Sequence, residues 1–382
     1  MFETILIISA VFYSLEIILF LIGLGKKDKK RKINTENANN GHLPNVSVVV
    51  AARNEEENIE RCVKSILELN YPKDKLEIII ADDGSTDRTA EIVSSLQKEN
   101  SHLKLLKINS QVNNLKGKAN ALAQAIDKTT GEFIFMTDAD CAVPKNWIKG
   151  MLRYFDEKTG VASGITIIED GKIFSGMQSL DWAFLLGVAA AVGKLFKPVA
   201  CIGNNMVFRK KAYIECGGYQ NLKFSITEDY ALFKAIIQNG KWNYAFPVDP
   251  DTLVMSKPVK TWKELYHQKK RWGTGGLDTG PLGIMVMSGG YIFHLLLLLS
   301  PFLASQILYL AIAIALKFFI DGAFLFKILK KFKKIPLLKY LPFFEIYYII
   351  YVVVLPFAVF LGGKTVWKER KYKGLRNLEI VE

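Results

Sequence analysis

The sequence predicts an α/β fold, a mostly parallel sheet with flanking helices, joined to transmembrane helices. Two observations lead to this prediction. Short apolar segments rich in β-branched residues alternate with helical segments between residues 46 and 137, and long apolar runs lie before and after this region. Continuous apolar strands that alternate with helices are typical of a parallel sheet covered on both faces.

Four segments have the composition of buried strands, and helical patterns separate them. The predicted strands are residues 46–51, 76–81, 103–108 and 132–137, and the predicted helices are 55–69, 86–99 and 117–128. Asn54 followed by Glu57 has the spacing of a capping box, which predicts the start of the first of these helices.

Three apolar runs, 2–24, 284–326 and 335–363, are each long enough to cross a bilayer, which takes about 20 residues. The first has no basic residue before it and a dense basic cluster after it. This is the reverse of a cleaved signal peptide and predicts a retained anchor. A further apolar segment, 180–200, contains charged residues and lies inside the α/β region, so we expect a core or membrane-facing helix there.

The net charge of +13 is concentrated in three short basic segments, 26–32, 327–334 and 364–376, which together carry more than the whole excess. Each lies beside an apolar run, as expected for lysines at an anionic cytoplasmic leaflet. The charge therefore predicts a multi-pass protein of the cell membrane with its α/β domain in the cytosol. Nucleic acid is not an expected partner.

The number of spans stays open at this point. Two helices within 284–326, divided near Pro301, place the lysines of 327–334 inside and the basic tail outside. One helix there reverses both positions, and a partly interfacial segment would reconcile the two basic segments. Glu16, Asp321 and Glu345 lie in or near these spans and are candidates for an acceptor channel, although Asp321 could simply pair with Lys317.

Cysteine and histidine give no sign of a metal site. The four cysteines have no metal-ligand spacing, and none of the four histidines has a partner at such spacing. These residues are assigned no function; they are Cys62, Cys141, Cys201, Cys216, His42, His102, His267 and His294.

Polar clusters follow three of the predicted strands directly. They are Arg53-Asn54-Glu55, Asp82-Asp83 and Asp138-Ala139-Asp140. Because ligands of such sheets bind outside the carboxyl ends of the strands, we expect these clusters to share one site. The carboxylates of Asp138 and Asp140 could hold a hard divalent cation, Mg²⁺ or Mn²⁺, that also takes phosphate oxygens as ligands.

Six motifs occur in an order that resembles a known family. They are VSVVVAARNEE (46–56), ADDGSTD (81–87), GKANAL (117–122), TDADC (137–141), TEDYAL (227–232) and QKKRW (268–272). The series resembles the family 2 glycosyltransferases of Rossmann-like GT-A fold, and its last two motifs resemble the membrane-bound branch. The resemblance covers residues 45–275.

The resemblance implies a donor site for a nucleotide-diphosphate sugar, with a UDP-sugar expected. The residues that it places there are Ala51, Arg53, Glu55, Asp82, Asp83, Lys118 and Asp138, with Asp138 and Asp140 as metal ligands. Arg53 stands where many relatives carry Tyr, which leaves the choice of nucleotide open. One of Asp82 and Asp83 could instead cap the turn at Gly84.

The resemblance also implies an acceptor side. Asp229 would be the general base, while Arg271 would face the diphosphate and Trp272 would stack on the acceptor. Glu228, Gln268 and Asn204 complete the expected set. Trp272 could alternatively be an interfacial anchor, and Asn204 could satisfy a turn.

These features predict five parts. They are a transmembrane anchor at 1–25, a basic segment and linker at 26–44, a GT-A domain at 45–275, transmembrane or interfacial helices at 276–364, and a basic tail at 365–382.

The expected activity is inverting transfer of one sugar to a membrane lipid or lipid-linked acceptor. The alternative is a processive polysaccharide synthase completed by an oligomer or an accessory subunit. An inactive membrane scaffold or transporter is a third hypothesis, which the intact acidic motifs disfavour.

Overall fold

The structure is a computed structural model. It describes residues 1–26, 43–113, 115–222, 225, 227–361 and 363, and it describes the backbone alone for 365–367, 370–373 and 379–381. Most of the predicted linker at 26–44 lies outside the described residues.

The strands form three sheets. They are β1 (Val46–Ala52), β2 (Leu76–Asp82), β3 (Leu103–Lys107), β4 (Phe133–Asp138), β5 (Cys141–Ala142), β6 (Thr159–Ser163), β7 (Thr166–Ile168), β8 (Met206–Arg209), β9 (Asn243–Ala245), β10 (Val254–Ser256), β11 (Thr365–Trp367), β12 (Arg370–Lys373) and β13 (Glu379–Val381).

The helices lie between the strands and at both ends of the chain. They are α1 (Phe2–Gly25), α2 (Ile59–Leu67), α3 (Thr89–Glu99), α4 (Gly117–Asp127), α5 (Trp147–Leu152), α6 (Ile173–Leu195), α7 (Lys210–Glu215), α8 (Glu228–Gln238), α9 (Trp262–Gly276), α10 (Gly280–Leu303), α11 (Ile307–Lys331) and α12 (Leu341–Leu361).

The main sheet has seven strands in the order β3-β2-β1-β4-β8-β6-β9. Its first four strands are parallel, whereas β8 runs antiparallel to both β4 and β6. The four predicted strands and the mostly parallel sheet are therefore confirmed. The apolar run of β1 is explained by burial on both faces of the sheet. Val48 and Val50 pack on the α2 side, and Val49 packs on the α4 side.

The predicted capping box at Asn54 is wrong. The helix begins at Ile59, and Asn54 has a left-handed backbone with φ of 51°. The Asn54 amide N–H donates to Ser85 Oγ, and its side-chain oxygen accepts from the Thr86 amide. Asn54 thus joins the turn after β1 to the turn after β2, and both turns lie at the sheet edge that carries the polar clusters.

Five helices of the described residues are long and apolar enough to cross a membrane: α1, α6, the continuous pair α9–α10, α11 and α12. The apolar run 284–326 is divided at Ala304–Gln306, just after Pro301, as one of the two predicted arrangements requires. Helix α6 packs against α1, α11 and α12, so it belongs to this helical group and most of its length is buried.

A buried ionic cluster lies within the helical group. Lys317 Nζ is 2.7 Å from Asp321 Oδ2 and also pairs with Glu345 of α12. The Tyr13 hydroxyl of α1 donates to Asp321 Oδ1 at 2.8 Å. Asp321 does pair with Lys317, and the cluster joins three helices.

Candidate active site

A cavity of about 440 Å³ lies at the carboxyl ends of β1, β2 and β4. Its lining residues are Ala51, Ala52, Arg53, Glu55, Asp83, Lys118, Asp138, Ala139, Asp140, Val259, Glu264, His267, Gln268 and Arg271. All residues expected on the donor side except Asp82 belong to this lining, as do Asp140, Gln268 and Arg271. The predicted residues outside it are Asp82, Asn204, Glu228, Asp229 and Trp272.

The turn after β2 separates the roles of its two aspartates. The Asp82 carboxylate is buried and accepts the Ser85 amide N–H at 3.1 Å, within a turn in which Gly84 has φ of +68°. Arg53 donates from Nη1 to the Asp83 carbonyl oxygen at 2.7 Å. Asp82 therefore caps the turn, while Asp83 lies at the cavity.

Lys118, in the first turn of α4, joins the donor side to α8. Its Nζ lies 2.6 Å from Asp138 Oδ1 and 3.2 Å from Glu228 Oε1. Burial alone would lower the pKa of Lys118, but the two carboxylates outweigh burial and raise that pKa above its usual value. Lys118 is therefore a permanent cation between the end of β4 and the start of α8.

Asp140 is fixed through its backbone. Its carbonyl oxygen accepts from Arg61 Nη1 at 3.0 Å and from the Lys257 amide at 3.2 Å. Glu169 pairs with both Arg61 and the Lys257 ammonium. These contacts from α2 and the segment after β10 hold the acidic turn in place while the Asp140 side chain lines the cavity.

The acidic turn fits a hard divalent cation that shares its ligands with a phosphate group. Asp138 and Asp140 both line the cavity and offer only oxygen donors. In the part of the chain that the structure describes, no group of three His, Cys, Asp or Glu side chains could hold a metal. A cation held here would need oxygens from a ligand or water to complete its coordination.

Asp229 is the second residue of α8, and both of its carboxylate oxygens accept backbone hydrogen bonds. Oδ2 accepts the Gly203 amide at 2.6 Å, and Oδ1 accepts its neighbour Tyr230's amide at 2.8 Å. Burial and the Glu228 carboxylate raise the pKa of Asp229 to about 6, although Lys118 and the two amides act in the opposite direction. A carboxylate of this kind changes its charge close to neutral pH.

Helix α9 forms the opposite wall of the cavity. Gln268 and Arg271, which were expected at the site, line this wall. Glu264 and His267 of the same helix also line it. Sequence reasoning missed these two residues, and it left His267 without a function. Glu264 lies four residues before Gln268, and His267 lies four residues before Arg271. This spacing was the available signal, since residues four apart share one helix face.

Two residues expected near the acceptor have other contacts. The ring of Trp272 packs edge-on against Trp182 of α6, with centroids 4.9 Å apart. Asn204 is buried, and its Oδ1 accepts the Thr166 hydroxyl at 2.7 Å. Trp272 thus contacts the helical group, and Asn204 satisfies a buried hydroxyl.

Comparison with known families agrees with this arrangement. Residues 133–362 match the family described as glycosyl transferase family group 2, and residues 47–217 match glycosyl transferase family 2. The first match covers more than half of the chain. This protein belongs to glycosyl transferase family group 2.

Several curated proteins are related to this family member. A beta-monoglucosyldiacylglycerol synthase of Nostoc sp. is 34% identical over 246 residues, which are 62% of this chain and 50% of the relative. A poly-beta-1,6-N-acetyl-D-glucosamine synthase of Staphylococcus aureus is 30% identical over 252 residues, 65% of this chain and 57% of the relative. The chain spans about half the length of the curated relatives it matches.

A solved structure shares the fold. The mannosyltransferase PcManGT from Pyrobaculum calidifontis, solved in complex with GDP-Man and Mn²⁺, aligns with a TM-score of 0.59 at 19% identity. The alignment covers 91% of this chain and 99% of that one. The α/β domain of this family member, with its flanking helices, is therefore a GT-A fold, as the motifs predicted.

Proposed function

We propose that this protein is an inverting glycosyltransferase that moves a sugar from a nucleotide-diphosphate sugar, with UDP-sugars preferred, to a lipid or lipid-linked acceptor in the membrane. One observation carries the proposal: the strand-end residues Asp83, Asp138 and Asp140 share a single cavity with Gln268 and Arg271 of α9. A cavity with a carboxylate pair on one wall and a guanidinium on the other suits a diphosphate with a metal ion.

The donor would occupy the cavity along the strand ends. Arg53, Glu55 and Asp83 lie where the base and ribose would bind, with the Arg53 guanidinium held by the Asp83 carbonyl. Lys118 and Arg271 supply positive charge for the diphosphate. A guanidinium can meet two phosphate oxygens at once, which orients the leaving group as well as binding it.

Asp138 and Asp140 are the residues that would hold Mg²⁺ or Mn²⁺. Such a cation, when bound, neutralises negative charge on the leaving diphosphate. Asp138 Oδ1 also contacts Lys118 Nζ, so this carboxylate would interact with both the ammonium and the metal ion. Asp140 has its carbonyl fixed by Arg61 and Lys257, which limits the movement of the whole acidic turn.

Asp229 is the proposed general base. It would take the proton of the acceptor hydroxyl while that oxygen bonds to the anomeric carbon and the bond to the diphosphate breaks on the opposite face. Each carboxylate oxygen can accept more than one hydrogen bond, so the bonds from Gly203 and Tyr230 leave room for this proton. A pKa of about 6 makes Asp229 a stronger base than an ordinary aspartate while it stays ionised at pH 7.

The membrane is the proposed location of the acceptor. Five long apolar helices in the described residues and a relative named as a beta-monoglucosyldiacylglycerol synthase support a lipid substrate. The basic segments beside these helices favour a cytosolic catalytic domain. The site-carrying domain is proposed to extend over residues 45–275, with the helices of 276–364 beside the acceptor.

A processive polysaccharide synthase is the second candidate. The relative from Staphylococcus aureus that is named as a poly-beta-1,6-N-acetyl-D-glucosamine synthase favours it. Polymer export through the five long apolar helices of the described residues would call for an oligomer or an accessory subunit.

Product analysis of the purified full chain in lipid nanodiscs tests the proposal. The chain would be supplied with UDP- and GDP-sugars, Mg²⁺ or Mn²⁺, and diacylglycerol or polyprenyl-phosphate lipids. We expect one glycosylated lipid of discrete mass. A ladder of polymer would favour the second candidate, and no transfer from any donor would support an inactive scaffold.

A further inference from the structure

The wall of the cavity formed by α9 is attached to α6 at two points one helical turn apart. The first is Gln178, which is buried. Its Nε2 donates to the Val259 carbonyl oxygen at 3.1 Å, and its Oε1 accepts the Val259 amide at 3.1 Å. Both backbone groups of a cavity-lining residue are thus satisfied by one side chain.

The second point is Asp181. Its carboxylate, 0% exposed, pairs with the ammonium of Lys269, whose side chain is 4% exposed. Asp181 Oδ2 also accepts the Tyr347 hydroxyl of α12 at 3.2 Å. The Lys269 ammonium lies 4.4 Å from the ring centroid of Trp272, so aromatic rings and one carboxylate surround the charge.

Lys269 stands between Gln268 and Arg271 in the sequence, yet it is not part of the cavity lining. Consecutive helical residues point in different directions, so Lys269 can reach α6 while its neighbours reach the cavity. Movement of Lys269 relative to Asp181 would therefore shift Gln268 and Arg271 relative to the acidic turn.

We propose that Gln178 and Asp181 are positioning residues that fix the segment Val259–Arg271 as one wall of the cavity, by the clamp on Val259 and the ion pair with Lys269. Neither residue lines the cavity, so both act through the wall. The proposal rests on the proposed function only for its effect on turnover, since the position of the wall is a property of the folded chain.

Asp181→Asn is the informative change, because it preserves shape and removes the charge that faces Lys269. An unpaired buried ammonium could unfold the helices, so the second variant is Asp181→Asn with Lys269→Met, which removes both charges together. Gln178→Met tests the clamp in the same way. Ser179→Ala is the matched control: its hydroxyl is buried on the same helix and has no hydrogen-bond partner among the described residues.

Hydrogen–deuterium exchange on the full chain in nanodiscs measures the wall without any substrate. We expect faster exchange in peptides that span 259–276 for the Asp181 and Gln178 variants, with peptides of 103–127 unchanged, and wild-type exchange for Ser179→Ala. Exchange equal to that of the wild type in folded Asp181 and Gln178 variants would overturn the proposal.

Turnover supplies the second readout. We expect Asp181→Asn/Lys269→Met to lower kcat/KM for the donor about tenfold or more, and we expect this loss to shrink in an Arg271→Met background, since coupled residues are not additive. Full additivity of the two losses would contradict action through Arg271. If the wild-type chain transfers no sugar, the proposed function fails, and the exchange result alone still decides the positioning role.

Discussion

Lys118 Nζ lies 2.6 Å from Asp138 Oδ1, and this contact joins the end of the central parallel strand to the first turn of α4. The same ammonium reaches Glu228, the neighbour of Asp229. One donor-side carboxylate, Asp138, and the residue next to the proposed base, Glu228, therefore share one cation. Substitution of Lys118 should therefore affect both the donor side and the acceptor side of the site.

Lys118→Met should shift the pH dependence of transfer upward. Asp229 accepts a proton only when it is ionised, so activity should rise as the pH increases through its pKa of about 6. Lys118 lowers the pKa of Asp229, so its removal should raise that pKa and move the rising limb to higher pH. Initial rates between about pH 5 and 8 at saturating donor measure the limb.

Lys116→Met is the control for charge alone. Lys116 is exposed and immediately precedes α4. Its substitution removes one positive charge and leaves the ion pairs of Lys118 intact. Its pH profile should match that of the wild type. An unshifted limb in Lys118→Met, with the protein folded, would mean that Asp229 is not the group that titrates.

Asp229→Asn should abolish transfer while the donor still binds. The amide keeps the shape of the side chain but cannot take a proton from the acceptor, and loss of a general base costs about 10²- to 10⁴-fold in rate. Calorimetric titration with the nucleotide diphosphate and Mn²⁺ should give an affinity close to that of the wild type. Substantial residual transfer would remove Asp229 from the role of base.

Asp140→Asn should raise the Mn²⁺ concentration that half-maximal transfer requires, because Asp140 is a proposed metal ligand. Loss of a ligand should cost at least as much as loss of an outer-sphere partner, about 10- to 100-fold in metal affinity. Mn²⁺ titration of transfer activity measures it. Asp83→Asn is the matched control, because Asp83 lines the same cavity from another strand; it should weaken donor binding and leave the half-saturating Mn²⁺ concentration unchanged.

The parallel half of the fold was predictable, because β1, β2 and β4 each have a largely apolar sequence that indicates burial on both faces. The edge strand β3 has the sequence LKLLK and is only partly buried. The antiparallel strands were not. Strand β8 is the four residues Met206–Arg209, and its pairing with β4 depends on contacts across more than 60 positions of the chain. Asn54 misled the prediction because its local spacing fits a helix cap, whereas its actual partners are on the turn after β2.

The candidate site also has a part that could be predicted from the sequence and a part that could not. Asp138 and Asp140 follow a recognisable strand, so their place at the carboxyl edge could be read from sequence. The contacts that support α9 could not be predicted from the sequence. Asp181 lies in the segment 180–200, which was predicted only as a core or membrane-facing helix, and Gln178 lies just before that segment. A side chain that acts through distant partners leaves no local pattern.

Gly275→Ala should disturb the contact between α9 and the segment that precedes α8. A Cβ at Gly275 would lie 2.2 Å from Thr227 Cγ2, so one of the two must move. Overpacking of this kind costs about 1–3 kcal/mol. Thermal unfolding in detergent should show a lower Tm, and turnover should fall because Thr227 adjoins Glu228 and Asp229.

Gly276→Ala is a matched control one residue away. Its Cβ would meet only Met287 Sδ at 3.8 Å, an ordinary contact, and alanine favours the helix by about 0.5–1 kcal/mol. Its Tm should equal or exceed that of the wild type. Equal losses in both variants would argue against a specific contact between Gly275 and Thr227.

Lys317→Met should destabilise the helical group strongly. Lys317 is 2% exposed and is the cation that faces Asp321 and Glu345, so its loss leaves two buried carboxylates uncompensated. Breaking a buried ion pair from one side costs about 3–5 kcal/mol. Lys330→Met, at an exposed position of the same helix, should leave the Tm unchanged. Lys317→Met combined with Asp321→Asn and Glu345→Gln should recover much of the loss, because no charge then remains buried alone; failure to recover would mean that the cluster stabilises the fold by more than charge compensation.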